Sequence, residues 1–206
     1  MVTRLVAALR AAAAGTTAVE AAAVASGLVY LVLAILRDAR CWIAAFLSTA
    51  LYLYVFARAG LYMQAGLQVY YLLMAVYGWR QWRGGGDRPA AVVTRWGVAP
   101  HLIGLLAVAA ASALNWALLG RRAGAIPLLD TLTTWASVYA CFLVARQVLE
   151  NWAWWLVIDV LIAALCWRAQ LYASAVLYLL YTVLVLVGWR AWWRDWRALG
   201  TARVGA

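Results

Sequence analysis

The chain contains no lysine, one histidine, three cysteines, three prolines and only seven carboxylates in 206 residues. Each shortage removes a class of chemistry. Without lysine there can be no retinal Schiff base, which excludes a light-driven heptahelical pump or photoreceptor. No Walker motif is present, so ATP coupling within the chain has no phosphate loop to act through. The lone histidine, His101, has no second His and no Cys at ligand spacing, so no metal site is expected. It also lacks the GxSG-type partner of an intramembrane serine protease, and aspartate-rich diphosphate motifs are missing, so no enzyme is expected. Cys41, Cys141 and Cys166 form no CxxC pair and lie in or beside apolar runs, where small, reduced, buried thiols are expected.

What is present is apolar. Hydrophobic residues make up 68% of the chain and charged residues 12%, with a mean hydropathy of +0.86. A soluble domain is nearer half apolar and a quarter charged. Seven apolar segments, at about 18–36, 41–57, 61–79, 97–119, 127–145, 151–167 and 170–189, are each long enough to cross roughly 30 Å of hydrocarbon. The sequence therefore predicts an all-α integral membrane fold. Residues 1–17 read as an N-terminal arm, and 194–206 as a C-terminal cytoplasmic tail. The longest connection carries Gly84, Gly85, Gly86 and Pro89, and Pro127 opens the fifth segment at a position where its missing N–H costs nothing.

The net charge of +10 comes from arginines scattered between the apolar segments. A nucleic-acid surface would cluster them on one solvated face, so no nucleic-acid partner is expected. Alternation between segments follows the positive-inside bias instead. With the N-terminus outside, eleven arginines fall on the inner side and six on the outer. That predicts a multi-pass protein of the bacterial inner membrane with a periplasmic N-terminus.

Residues 41–83 and 151–193 repeat one another without a gap at an offset of 110, with thirteen of the forty-three positions identical by direct count. Trp42 aligns with Trp152, Arg58 with Arg168, Tyr71 with Tyr181, and Gly78-Trp79-Arg80-x-Trp82 with Gly188-Trp189-Arg190-x-Trp192. Apolar composition alone would not align these residue types together. The organisation is a three-helix repeat at 18–83, a linking helix at 97–119 and a second repeat at 127–193. Equivalent helices lie four crossings apart, so the repeats run parallel. This 3+1+3 plan is the SWEET-like architecture, in which solute sites lie near the midplane between repeats.

Polar residues within spanning segments are costly and mark candidate sites. Trp152, Trp155 and Asp159 recur at three- and four-residue spacing on one helical face, which suits a flat aromatic solute, cationic or neutral, with a headgroup belt the equal alternative for Trp152. Gln64, Gln68 and Tyr71 form a second stripe, able either to hydrogen-bond hydroxyls or to join helices. Asp130 reads as a first-turn charge complementing the helix dipole, and Thr134 and Ser137 as path-lining or backbone-bonded hydroxyls. Asn115 and His101, outside the repeat, are assigned to structure. The two Gly-Trp-Arg-x-Trp clusters are expected to anchor at the headgroups.

These landmarks resemble the PnuC family of bacterial vitamin transporters. The resemblance runs through Gly60-Leu61-Tyr62, Leu67 to Tyr71, Gly78-Trp79-x-x-Trp82, Asp130-x-x-Thr133-Thr134, Glu150-Asn151-Trp152-x-x-Trp155-x-x-x-Asp159, Leu171-Tyr172 and Tyr178 to Trp192. It implies uptake of nicotinamide riboside by facilitated diffusion without a cofactor, followed by trapping through a cytosolic vitamin kinase. Thiamine and riboflavin are the alternative substrates. At Leu72-Leu73-Met74-Ala75 the chain departs from the Pro-Met-Gln step of many nicotinamide riboside carriers, which keeps thiamine in contention. The substrate-binding residues expected are Asn151, Trp152, Trp155, Asp159, Gln64, Gln68, Tyr71, Thr134, Tyr178 and Tyr181. The partners expected are the vitamin and the lipid bilayer, with room for a homo-oligomer.

Overall fold

The computed structural model describes residues 17–58, 62–84, 92–120, 128–168 and 172–204. Residues 1–16 of the expected arm, most of the glycine-rich connection, Arg121, Arg122, Pro127 and the side chain of Asp130 lie outside the described part. Within it are seven α-helices: α1 (Ala18–Ile35), α2 (Cys41–Arg58), α3 (Tyr62–Arg83), α4 (Val98–Asn115), α5 (Leu128–Ala145), α6 (Asn151–Arg168) and α7 (Tyr172–Val204). A single π-turn, Trp116–Gly120, extends α4. Helix α1 starts on a capping box: the Glu20 backbone N–H donates to Thr17 Oγ1 at 3.2 Å, and the Thr17 N–H donates to Glu20 Oε2 at 2.7 Å. Residues 194–204, expected as a tail, continue α7 as helix.

Five spans meet the length and hydropathy needed to cross a membrane: α1, α2, α4 with its π-turn, α6, and residues 175–198 of α7. Helices α3 and α5 are more polar or shorter, for a physical reason. They carry Gln64, Gln68, Thr133, Thr134 and Ser137, which face the protein interior instead of lipid.

The helices close into a ring. Packing runs α1–α2–α3–α5–α6–α7 and back to α1, with α4 outside against α5. Exchanging the repeats maps this ring onto itself, as α1–α2 becomes α5–α6 and α3–α5 becomes α7–α1. Helix α4 leaves most of its large apolar side chains exposed, as a lipid-facing helix does. It approaches α5 at Gly104, where an added Cβ would overlap the Tyr139 ring.

The repeat extends into turns where the side chains differ. Arg37 and its equivalent Gln147 both hold left-handed backbone, with φ of 57° and 51°. Each ends its helix with the same pair of bonds. Asp38 N donates to Leu33 O at 2.9 Å and Arg37 N to Ala34 O at 3.1 Å; Val148 N donates to Leu143 O at 3.0 Å and Gln147 N to Val144 O at 2.9 Å. This pairing satisfies terminal carbonyls at a cost of about 1–2 kcal/mol per non-glycine left-handed residue. The first turn is then capped by Asp38, whose Oδ1 accepts from Arg40 N at 2.8 Å. Hydrogen bonds from the Arg40 side chain and backbone hold the Asp38 carboxyl below its ordinary range. In the second turn a strap replaces the cap: Thr94 pairs with the 147–149 backbone through Thr94 N to Gln147 O at 3.0 Å and Leu149 N to Thr94 O at 2.9 Å.

The expectation that both Gly-Trp-Arg-x-Trp clusters sit wholly at the headgroups is corrected for their second tryptophans. Trp82 is 4% exposed and Trp192 is 0% exposed. The indole of Trp192 donates to Ala34 O at 3.0 Å, at the end of α1. The indole of Trp82 donates to Val144 O and Ala145 O, each at 3.2 Å, at the end of α5. Each repeat thus places an indole donor on terminal carbonyls of the other, beside the turn bonds that Ala34 O and Val144 O already accept from Arg37 N and Gln147 N. Trp42 meets Trp82 edge-on at 5.6 Å, Trp82 meets Trp192 at 5.8 Å, and Trp192 meets Trp152 edge-on at 5.3 Å. Gly78 and Gly188 make room for this four-indole layer, since a Cβ at either would overlap the ring of Trp42 or Trp152.

Candidate functional site

A cavity of about 640 Å³ fills the ring and is lined by all six of its helices, with no contribution from α4. Its wall runs from Phe56, Gln64 and Cys166, towards one end of the bundle, to Ala34, Val144 and Trp152 near the other. Trp152 belongs both to the lining and to the indole layer, so that layer floors the cavity.

Nine of the ten expected site residues line this one space: Trp152, Trp155, Asp159, Gln64, Gln68, Tyr71, Thr134, Tyr178 and Tyr181. The tenth, Asn151, does not. It is fully buried at the start of α6, where its Nδ2 donates to Val148 O at 2.7 Å. Trp152 is neither a headgroup anchor nor an exposed ring, because it packs over Gly188 and against Trp192. Its indole N–H is buried and has no acceptor among the described residues. Ser137 lines the cavity while its hydroxyl donates to Thr133 O at 2.8 Å, and Thr133 likewise donates to Leu129 O at 3.0 Å. His101 lies outside the cavity, accepting from Trp154 Nε1 at 3.4 Å and standing 4.0 Å from Glu150.

Electrostatically the cavity is one-sided. Among the described residues Asp159 is its only carboxylate, and no arginine or histidine lines it. The carboxylate is 4% exposed and has no ion pair or hydrogen bond among the described residues. Burying an unpaired charge costs several kcal/mol, so the arrangement is tuned to a cationic or hydrogen-bond-donating guest. Aromatic walls complete it. Tyr178 and Tyr181 meet edge-on at 5.8 Å, and Tyr52 stacks on Phe56 at 5.5 Å. Among the described residues no three His, Cys, Asp or Glu side chains gather as a metal site would need.

Tyr30, Tyr52, Phe56 and Gly27 also line the cavity and were not anticipated. Tyr30 could have been found by carrying the 110-residue offset back beyond position 41. It aligns with Ala140, and that difference accompanies which tryptophan lines the cavity, Trp152 and not Trp42. Tyr30 packs over Trp42 at 6.0 Å and takes its place in the wall. Ala140 is too small to screen Trp152 in the same way, so Trp152 reaches the cavity. The other divergent pairs differ in kind: Asp159 lines the wall where Thr49 does not, while Gln68 and Tyr178 both do.

Comparison with known proteins accords with this geometry. The sequence pattern of the family described as "Nicotinamide mononucleotide transporter" matches residues 17–194. The riboflavin/roseoflavin transporter RibM of Streptomyces davaonensis is 31% identical over 172 residues, covering 81% of this chain and 80% of RibM. The nicotinamide riboside transporter PnuC of Escherichia coli is 26% identical over 210 residues, covering 89% and 88%. The crystal structure of the vitamin B3 transporter PnuC superimposes with a TM-score of 0.70 at 21% identity, covering 94% of this chain and 88% of that one, a likeness of fold. A ring of two parallel repeats around a central cavity, together with a family match across nearly the whole chain, establishes that this protein belongs to the nicotinamide mononucleotide transporter family, the PnuC family of membrane vitamin transporters, and is not an enzyme.

Proposed function

We propose that this transporter carries nicotinamide riboside inward across the inner membrane by facilitated diffusion, and that a cytosolic kinase traps the vitamin by phosphorylating it. The observation that carries this reading is Asp159, buried and, among the described residues, without a partner and the only charged side chain in an aromatic cavity. Nicotinamide riboside presents a flat pyridinium cation and a hydroxylated ribose. The carboxylate and the Trp155 and tyrosine faces suit the ring, worth about 0.5–2 kcal/mol per cation–π contact. Gln64, Gln68 and Thr134 offer donors and acceptors for the sugar. The volume is within the ~300–1,000 Å³ usual for small-molecule sites.

Riboflavin is the second reading, favoured by the higher identity to RibM. Its ring system is neutral, so it would leave Asp159 without a countercharge. Thiamine, with a thiazolium cation, would use Asp159 as nicotinamide riboside does. The arginine distribution supports a periplasmic N-terminus and a cytoplasmic C-terminus, with the indole layer at the cytoplasmic end. Titration calorimetry of the purified protein against the three vitamins tests the proposal. Binding of nicotinamide riboside, weakened about tenfold or more in Asp159→Asn, is expected. Heat from riboflavin alone would transfer the assignment to the second reading, and silence with all three would end the vitamin reading.

A further inference from the structure

The indole layer fixes the level of α7 in the bundle, since Trp192 bonds the end of α1. On the outer side of α7, at that level, lies a groove of about 690 Å³ lined by Leu186, Trp189, Arg190, Trp193 and Arg194. Arg190 and Arg194 are exposed, one helical turn apart, and have no carboxylate or hydrogen-bond partner among the described residues. The described carboxylates beside this end of the bundle are already engaged: Asp38 by Arg40 (2.9 Å), Glu150 by Arg95 (2.9 Å) and Asp195 by Arg37 (3.2 Å). Two guanidiniums therefore stand without counterions among the described residues. Arg95 and Arg197 lie over the Trp193 ring, at 5.3 and 5.1 Å.

Below the arginines the same helical face turns apolar. Leu179, Val183 and Leu186 are exposed at four- and three-residue spacing, and Arg190 and Arg194 continue that stripe. A stripe that runs from aliphatic side chains to indoles and then to paired guanidiniums repeats the profile of a phospholipid, from acyl chain to glycerol to phosphate. We propose that this groove binds an anionic phospholipid, with its phosphate between Arg190 and Arg194 and an acyl chain along Leu186, Val183 and Leu179. Guanidiniums suit the site because they bind phosphate oxygens in bidentate fashion, and indoles favour the depth of the headgroups.

The test is native mass spectrometry of the full-length protein, released from micelles containing equimolar phosphatidylglycerol and phosphatidylcholine. Wild-type protein should retain phosphatidylglycerol with roughly tenfold preference, the scale two surface arginines supply. The double variant R190Q/R194Q should lose that preference while keeping its monodisperse elution and vitamin binding. Equal retention of the two lipids by wild-type protein overturns the proposal, whatever the variant does. Preference unchanged in a folded double variant overturns the assignment to this groove. A thermal-shift arm separates lipid from free anion: phosphatidylglycerol should raise the melting temperature and inorganic phosphate should not. Equal shifts from both would overturn the lipid as occupant.

Discussion

Asp159 exacts its cost from the empty transporter. Replacing it with asparagine removes a buried charge while keeping the shape, so Asp159→Asn should raise the melting temperature of the ligand-free protein. The same variant should weaken binding of a cationic vitamin by about tenfold or more, the loss of one charge-assisted contact. Calorimetry and a thermal melt on one preparation read both effects, and a variant that melts lower when empty would contradict the first. The glycines under the indole layer give a sharper contrast. Gly78→Ala and Gly188→Ala each push a Cβ into a tryptophan ring and should destabilise by about 1–3 kcal/mol. Only Gly188→Ala should also weaken vitamin binding, because Trp152 lines the cavity and Trp42 is screened by Tyr30. Equal binding losses in the two variants would show that both rings reach the guest. At this scale the sequence was legible wherever a polar residue interrupted an apolar helix, as at Asp159 or Gln68. Tyr30, Tyr52 and Phe56 escaped because an aromatic side chain in a membrane helix looks the same facing lipid or cavity.

Among the elements, the Gly-Trp-Arg-x-Trp motifs of α3 and α7 were read as headgroup anchors, and their second tryptophans depart from that reading. Trp79 and Trp189 remain partly exposed, with Arg83 over the Trp79 ring at 4.9 Å, whereas Trp82 and Trp192 turn inward. Three residues along a helix turn the side chain by about 300°, so the two indoles of one motif stand roughly 60° apart, one at the rim of the packed face and one within it, and spacing alone does not say which lies inward. The reciprocal indole bonds can be measured. Trp82→Phe and Trp192→Phe each remove the indole donor that joins one repeat to the other and should each cost about 1–2 kcal/mol in a thermal or chemical melt. The rings touch at 5.8 Å, so the double variant should depart from the sum of the single effects by at least about 0.5 kcal/mol. Strict additivity would mean the two bonds form independently. The left-handed turns at Arg37 and Gln147 could not be read beforehand, because neither residue is one that usually marks such a turn.

For the whole molecule, seven helices and the parallel duplication were legible from length, charge and the 110-residue register. The order of packing was not, since nothing in a linear pattern puts α4 outside a six-helix ring. The ring supports a test of orientation. Cys166 lines the cavity towards the end opposite the indole layer, while Cys41 and Cys141 are buried. A membrane-impermeant thiol reagent added to intact cells should therefore label Cys166 alone, and the vitamin should slow the reaction. Labelling only after the cells are opened would reverse the proposed topology. The two indole bonds also bear on how such a chain could arise. Trp192 closes the end of α1 and Trp82 closes the end of α5, so each half carries both a donor and the place that receives one. A contact unchanged when the two partners trade places is what a two-fold symmetric dimer makes with itself. A single three-helix unit holding one such tryptophan and one such helix end could clasp its own copy, and fusion through α4 would then preserve an interface that already existed.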